Sequence, residues 1–398
     1  MTIPFIDLKA QQNLIKTQIQ TNMNTVLEHG AYVMGPEIIE LEQNLARFCK
    51  QKYALACSSG TDALILSLLA LGIKPGDGVL TTPFTFFATA EAVAFIGAVP
   101  VFVDIDPATF NISPDQLSTA IRALKNTNRD TYPLPDSGKP SGLGHTTPDS
   151  LVPRAIISVD LFGLPCDYEK IETIARQENL KLIVDAAQSF GAMYRQRSTC
   201  SLGHVACTSF FPAKPLGCYG DGGMCFTSDP ETYERLTSFR VHGQGQNRYD
   251  NTRLGMNARM DTLQAAVLLA KMDIFAQELI LREKVAAGYN LLFGQPGSGL
   301  STPDIWDTTR SAWAQYSLLA RDYDHRQAIF RKLKEHRIPW AVYYPVPLHL
   351  QKAFAYLGYQ TTDFPVSEKT SERIFSLPMH PYLQKEDQQT IANVVLSA

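Results

Sequence analysis

The chain begins with apolar residues at helical spacing. Across residues 13–28, Ile15, Ile19, Met23 and Val26 fall on one face, and His29-Gly30 closes the segment with the glycine that often ends a helix. After the Gly35-Pro36 turn, a proline and an acid open a second helix that runs to about Lys50. From there the pattern changes. Short apolar runs, the signature of strands buried on both faces, alternate with helical stretches. Residues 53–57 predict a strand, and a small polar turn, Ser58-Ser59-Gly60-Thr61-Asp62, leads into an apolar helix over 63–72. Strands follow at 79–81, 99–103, 155–159, 182–184 and 224–228, with helices at 85–96, 114–124 and 167–177 between them. This repeating order predicts an α/β fold, a mainly parallel sheet with helices on both faces.

Beyond Asp261 the rhythm lengthens. A Leu- and Ala-rich helix is predicted at 261–278, a strand at 313–319, a helix at 325–336, a strand at 342–344 before Pro345, and a helix at 368–375. The chain therefore divides into a large α/β domain over 1–250 and a smaller α+β domain over 251–398. One stretch, 126–152, is rich in Pro, Gly, Ser, Thr and Asp and has no apolar period; it reads as a long exposed insertion, with His145 solvent-facing and inert.

Composition narrows the function classes. With 398 residues and 45% apolar content, two domains with sizeable cores can form. A net charge of -3 gives no nucleic-acid or membrane surface. The longest apolar stretch, 63–73, is well short of the ~20 residues a spanning helix needs. The opening residues lack a basic stretch followed by an apolar one, so the expected location is the cytoplasm. Seven scattered cysteines with no CxxC spacing predict buried thiols and no metal site.

Candidate chemistry gathers at predicted strand ends, where ligands of such sheets bind. Ser59, Gly60 and Thr61 sit where a strand meets a helix, and backbone N–H groups at a helix start favour an anion. Asp104 and Asp185 end strands, and Gln188 lies one helical turn beyond Asp185. Phe86 stands at a helix start, and Lys214 lies in the turn Pro212-Ala213-Lys214-Pro215. Taken singly these are caps, core aromatics and solvated charges. Together they meet the needs of a phosphorylated pyridine aldehyde: a helix end for the phosphate, a flat neighbour for the ring, a carboxylate for the ring nitrogen and an amine for the aldehyde.

Six ordered motifs, SSGTDAL, PFTFFATA, VDAAQSFGA, SFFPAKPLG, GMNARMDTLQAA and SLPMHP, closely resemble the DegT/DnrJ/StrS-type nucleotide-sugar aminotransferases, enzymes of fold type I, the aspartate-aminotransferase type, that use pyridoxal 5'-phosphate. The resemblance covers nearly the whole chain outside 126–152. It implies that Lys214 forms the Schiff base and later moves the proton. It implies that Asp185 pairs with the pyridinium, that Gln188 contacts the ring hydroxyl, and that Phe86 stacks on the ring. Ser59, Gly60, Thr61 and Ser209 would hold the phosphate. Asn257 would reach the phosphate of a second subunit, which implies a homodimer with shared sites. The implied amino donor is L-glutamate. The opening IPFIDLKAQQ, the GPE turn and TTPFTFFATAEAV look most like aminotransferases acting on the 3-oxo form of UDP-N-acetylglucosaminuronic acid, for surface polysaccharide. Arg259 is the first candidate for the sugar carboxylate, because a guanidinium fork suits it; Tyr343 and Tyr344 come next. Relatives often carry His-Tyr-Pro where this chain has Tyr-Tyr-Pro. The alternatives are a transaminase for a 3-keto or 4-keto deoxysugar on dTDP or UDP, and a non-catalytic regulator built on the same fold. A dehydratase of this fold would carry His where Lys214 stands.

Overall fold

The computed structural model describes residues 3–247 and 249–398. Seven strands form the main sheet: β1 (Tyr53–Cys57), β2 (Asp77–Thr81), β3 (Val99–Phe102), β4 (Val152–Val159), β5 (Lys181–Asp185), β6 (Val205–Ser209) and β7 (Gly223–Thr227), in the order β1-β7-β6-β5-β4-β2-β3. The pairs from β6 through β5, β4 and β2 to β3 are parallel, as the strand–helix rhythm predicts. β7 is antiparallel to both of its neighbours. It follows β6 through a loop, 210–222, that holds no crossover helix, and a strand returning without a crossover must run back. Both neighbours of β7 therefore point the same way. Cys57 and Ser209 each pair with Gly223, so the carboxyl ends of β1, β6 and β5 open on one edge of the sheet.

Helices cover both faces. One core packs α2 (Pro36–Cys49), α5 (Pro114–Lys125) and α6 (Tyr168–Gln177) on the sheet; the other packs α3 (Gly60–Ala70), α4 (Ala88–Phe95) and α7 (Pro230–Arg240). Helix α8 runs from Thr262 to Phe293, well past the predicted 278. Its first half, through Ala265, Leu268, Phe275 and Leu279, belongs to the sheet's core. Its second half, from Val285 to Phe293, packs on α9 (Tyr323–Glu335), α11 (Lys385–Leu396) and a small sheet of β8 (Leu300–Ser301), β9 (Tyr316–Ala320) and β10 (Ile374–Leu377).

Several predicted boundaries move. The 85–96 helix begins only at Ala88, because Thr85, Phe86 and Phe87 form the turn that enters it. The strand predicted at 313–319 starts at Tyr316: the Ala312 and Ala314 N–H groups bond the carbonyls of Gly163 and Phe162 instead. Residues 342–344 form no strand. The chain leaves the small sheet after one bridge, Ala341 to Ser376, and Pro345 and Pro347 lack the donors to extend it. The predicted 368–375 helix is α10 (Pro365–Arg373) followed directly by β10.

The 126–152 segment is not wholly exposed. Tyr132, Leu134, Pro135 and Thr147 are buried, and the Asp136 N–H donates to the Leu357 carbonyl at 2.7 Å. Asp104 departs from the ligand edge. Its carboxylate accepts from the N–H groups of Val366 and Ser367, each at 2.9 Å, and so anchors the start of α10.

Candidate active site

β5 ends on Asp185, which is 6% exposed. Thr89 Oγ1 donates to its Oδ2 at 2.9 Å, and the Ala187 N–H donates to Oδ1 at 3.2 Å. Burial pushes the carboxyl above the usual carboxylate range; these two bonds and the Lys214 charge pull it back in part. Lys214 lies in the turn after β6, whose backbone is pinned by the Lys214 N–H to the Phe211 carbonyl at 2.8 Å. Burial lowers its ammonium below the ordinary lysine range, and the Asp185 carboxylate opposes that shift. Each group thus feels the other across one cavity of about 680 Å³, which both line. That volume lies within the ~300–1,000 Å³ of ordinary small-molecule pockets.

Gln188 is held at both ends of its amide. Its Oε1 accepts from the Phe162 N–H at 2.6 Å, and its Nε2 donates to the Tyr344 hydroxyl at 3.1 Å. Tyr344 meets Phe84 edge-on, and its ring centroid stands 6.3 Å from that of Phe86. Phe86 is 57% exposed and lines the cavity as an open flat face.

At the β1–α3 joint, Ser59 caps the helix: its Oγ accepts from the Asp62 N–H at 3.0 Å. The next N–H groups, of Gly60 and Thr61, head α3, where the helix leaves its donors free for an anion. Close approach explains the glycines. A Cβ on Gly60 would lie 2.7 Å from Ser209 Cβ, and one on Gly223 would lie 2.2 Å from the Ser59 carbonyl oxygen. The pairing of β1 and β6 with β7 therefore brings Ser209 against the α3 start. Anion cradle, open aromatic face, carboxylate and amine all line one cavity, a donor set that fits a phosphorylated pyridine aldehyde.

The DegT/DnrJ/EryC1/StrS aminotransferase family model matches residues 13–396. The chain belongs to this family. It is 46% identical, over 96% of each chain, to the UDP-2-acetamido-2-deoxy-3-oxo-D-glucuronate aminotransferase of Pseudomonas aeruginosa. A DegT/DnrJ/EryC1/StrS aminotransferase of known structure from Brucella abortus matches with a TM-score of 0.90 and 42% identity, covering 99% of this chain and 98% of that one. NtdA from Bacillus subtilis, solved with bound pyridoxamine phosphate, matches with a TM-score of 0.85 and 27% identity over 100% of this chain and 86% of that one. The protein is a pyridoxal 5'-phosphate aminotransferase.

In the aminotransferase, ten of the twelve sequence-predicted site residues line the cavity: Ser59, Gly60, Thr61, Phe86, Asp185, Gln188, Ser209, Lys214, Tyr343 and Tyr344. Asn257 and Arg259 do not. They lie together on the segment before α8, where Arg259 Nε donates to Asn257 Oδ1 at 2.8 Å. Thr89 was not predicted. It lies in PFTFFATA and meets Asp185 only because α4 packs beside the end of β5, a contact spanning 96 residues that no local spacing signals.

Proposed function

We propose that this aminotransferase moves the amine of L-glutamate onto the C3 ketone of UDP-2-acetamido-2-deoxy-3-oxo-D-glucuronate, releasing 2-oxoglutarate and a 2,3-diamino uronic acid sugar nucleotide for surface polysaccharide. Lys214 facing Asp185 across one cavity carries the transamination part of this reading. The likeness to the Pseudomonas enzyme over nearly the full length supports the choice of sugar.

Bound pyridoxal phosphate supplies the electron sink that makes the substrate's Cα–H acidic. Lys214 would be the amine that holds the cofactor at its aldehyde end. As a free amine, Lys214 would be the base and acid that moves the proton, and its lowered basicity suits that work near neutral pH. Asp185, fixed by Thr89 and Ala187, would keep the ring nitrogen protonated, a positive partner for the carboxylate that burial disfavours. Gln188 orients Tyr344 and would meet the ring hydroxyl. Gly60, Thr61 and Ser209, with Ser59 shaping the turn, would hold the phosphate, and Phe86 would lie against the ring.

We read the working unit as a homodimer. Asn257 and Arg259, outside their own chain's cavity, then serve the site of the partner subunit, Asn257 at the phosphate and Arg259 at the uronate. Tyr343 and Tyr344 form the sugar-side wall.

Turnover of the 3-keto uronate is to be compared with that of 3-keto and 4-keto deoxysugars on UDP and dTDP, each with glutamate. The expected result is preference for the uronate, lost in Arg259→Ala. Preference for a deoxysugar defeats the choice of sugar while leaving the transamination intact.

A further inference from the structure

Lys214 lines a second cavity, far smaller than the first, about 10 Å³ in volume and shared with Gln11, Glu278, Arg282, His380 and Tyr382. That is the space one water needs. Four segments remote in sequence close it: the first turns of α1 (Leu8–His29), the middle of α8, the lysine turn and the SLPMHP motif. Glu278, 2% exposed, accepts from Gln11 Nε2 at 2.9 and 3.0 Å and from the Tyr382 hydroxyl. Arg282 Nη1 donates to the Trp313 carbonyl at 3.0 Å.

These bonds leave a remainder. Gln11 Oε1, Arg282 Nε and both ring nitrogens of His380 are sealed from solvent without a well-formed partner among the described residues. Leaving a buried polar group unpaired costs about 1–3 kcal/mol, so such atoms on the lining of one chamber call for an occupant. Burial holds His380 below the ordinary histidine range, against the pull of Asp7 and the Pro4 backbone and with the push of the Arg282 charge. The ring is therefore neutral near pH 7, with one N–H and one acceptor nitrogen. With one ring nitrogen directed at the Pro4 backbone, the remaining needs balance. Arg282 Nε and the Lys214 amine donate, while Gln11 Oε1 and one imidazole nitrogen accept. A single water accepts two bonds and donates two.

We propose that this chamber holds one ordered water linking Lys214 to Arg282, His380 and Gln11, and that Arg282 and His380 are positioning residues for the lysine. The proposal rests on Lys214 being the cofactor-bonded amine. When that bond is open, the four-carbon stem of the lysine is free to rotate. A bond from its N–H to the chamber water fixes the nitrogen and leaves its lone pair available for the proton.

The test is a crystal structure of the wild-type holoenzyme at a resolution that shows ordered water, with His380→Leu and His380→Asn made alongside. We expect water density within hydrogen-bond reach of Lys214 and His380. His380→Leu should lose that water and lower the single-turnover rate with glutamate by about tenfold, less than the ~10²–10⁴-fold of an acid–base group itself because His380 acts only through the lysine, with KM for glutamate unchanged. His380→Asn, which keeps an acceptor, should recover most of the rate. A chamber dry in the wild type, a Leu variant with full rate, or Leu and Asn variants losing the same rate in proportion to lost thermal stability would each overturn the proposal. A wild-type holoenzyme whose visible absorption ignores glutamate would instead overturn the role of Lys214, and the water density would still decide the chamber.

Discussion

Thr89→Val tests whether Asp185 is a carboxylate held ionised by its neighbours. Valine matches threonine in shape but removes the donor 2.9 Å from Oδ2, so among the described residues the Ala187 N–H remains the one donor to this buried acid. A hydrogen bond to a charged group contributes about 1.5–3 kcal/mol. That cost applies only while Asp185 is ionised. Burial already places its folded-state pKa above the unfolded value. For such an acid, stability is present below the unfolded pKa and lost as pH rises through the folded one. Removing Thr89 should deepen that loss. The substitution also strips Thr85 Oγ1 of its partner at 3.2 Å, a pH-independent cost of about 1 kcal/mol. Urea unfolding of the cofactor-free protein at about pH 4, near the ordinary Asp value, should therefore show a loss of about 1 kcal/mol. At about pH 8 the loss should grow by a further 1.5–3 kcal/mol, roughly. Thr85→Val, which leaves the Asp185 bonds in place, should show the small loss at both pH values. Equal losses for Thr89→Val at both would refute the reasoning, because Thr89 would then not be supporting a charge. In the holoenzyme the same variant should release pyridoxal phosphate more readily, measured by dialysis and absorbance.

Gly60→Ala should weaken cofactor binding at least tenfold, because its Cβ would meet Ser209 Cβ at 2.7 Å; Gly60→Ala with Ser209→Gly should recover part of the affinity in an absorbance titration. Lys214→Ala should abolish turnover and the lysine-linked absorption band while still binding the cofactor, and a retained covalent link would disprove the assignment. Mixing Lys214→Ala with Asn257→Ala protomers should restore about a quarter of wild-type turnover if the partner supplies Asn257 under random pairing; no recovery on mixing would place Asn257 outside the shared site. Tyr132→Phe leaves the buried Asp104 N–H without its 3.0 Å acceptor and should cost about 1–3 kcal/mol in urea unfolding.

Local chemistry alone made the parallel α/β rhythm legible, because each strand–helix join in this chain writes its own signal: an apolar run, a small polar turn, a helical period. It also marked Lys214, Asp185 and the Ser59–Thr61 turn, since ligands of such sheets sit at strand ends. The antiparallel return of β7 was not legible, because strand direction depends on what the 210–222 loop packs against. Asp104 looked like Asp185 in sequence, an acid closing an apolar run, yet one anchors α10 and the other faces Lys214. Thr89, the pairing of Gln188 with Tyr344, and the chamber of Gln11, Arg282 and His380 join residues far apart along the chain. Sequence periodicity reports which face of an element is apolar. Which distant element a polar side chain meets is settled only when burial forces its hydrogen bonds to close inside the folded protein.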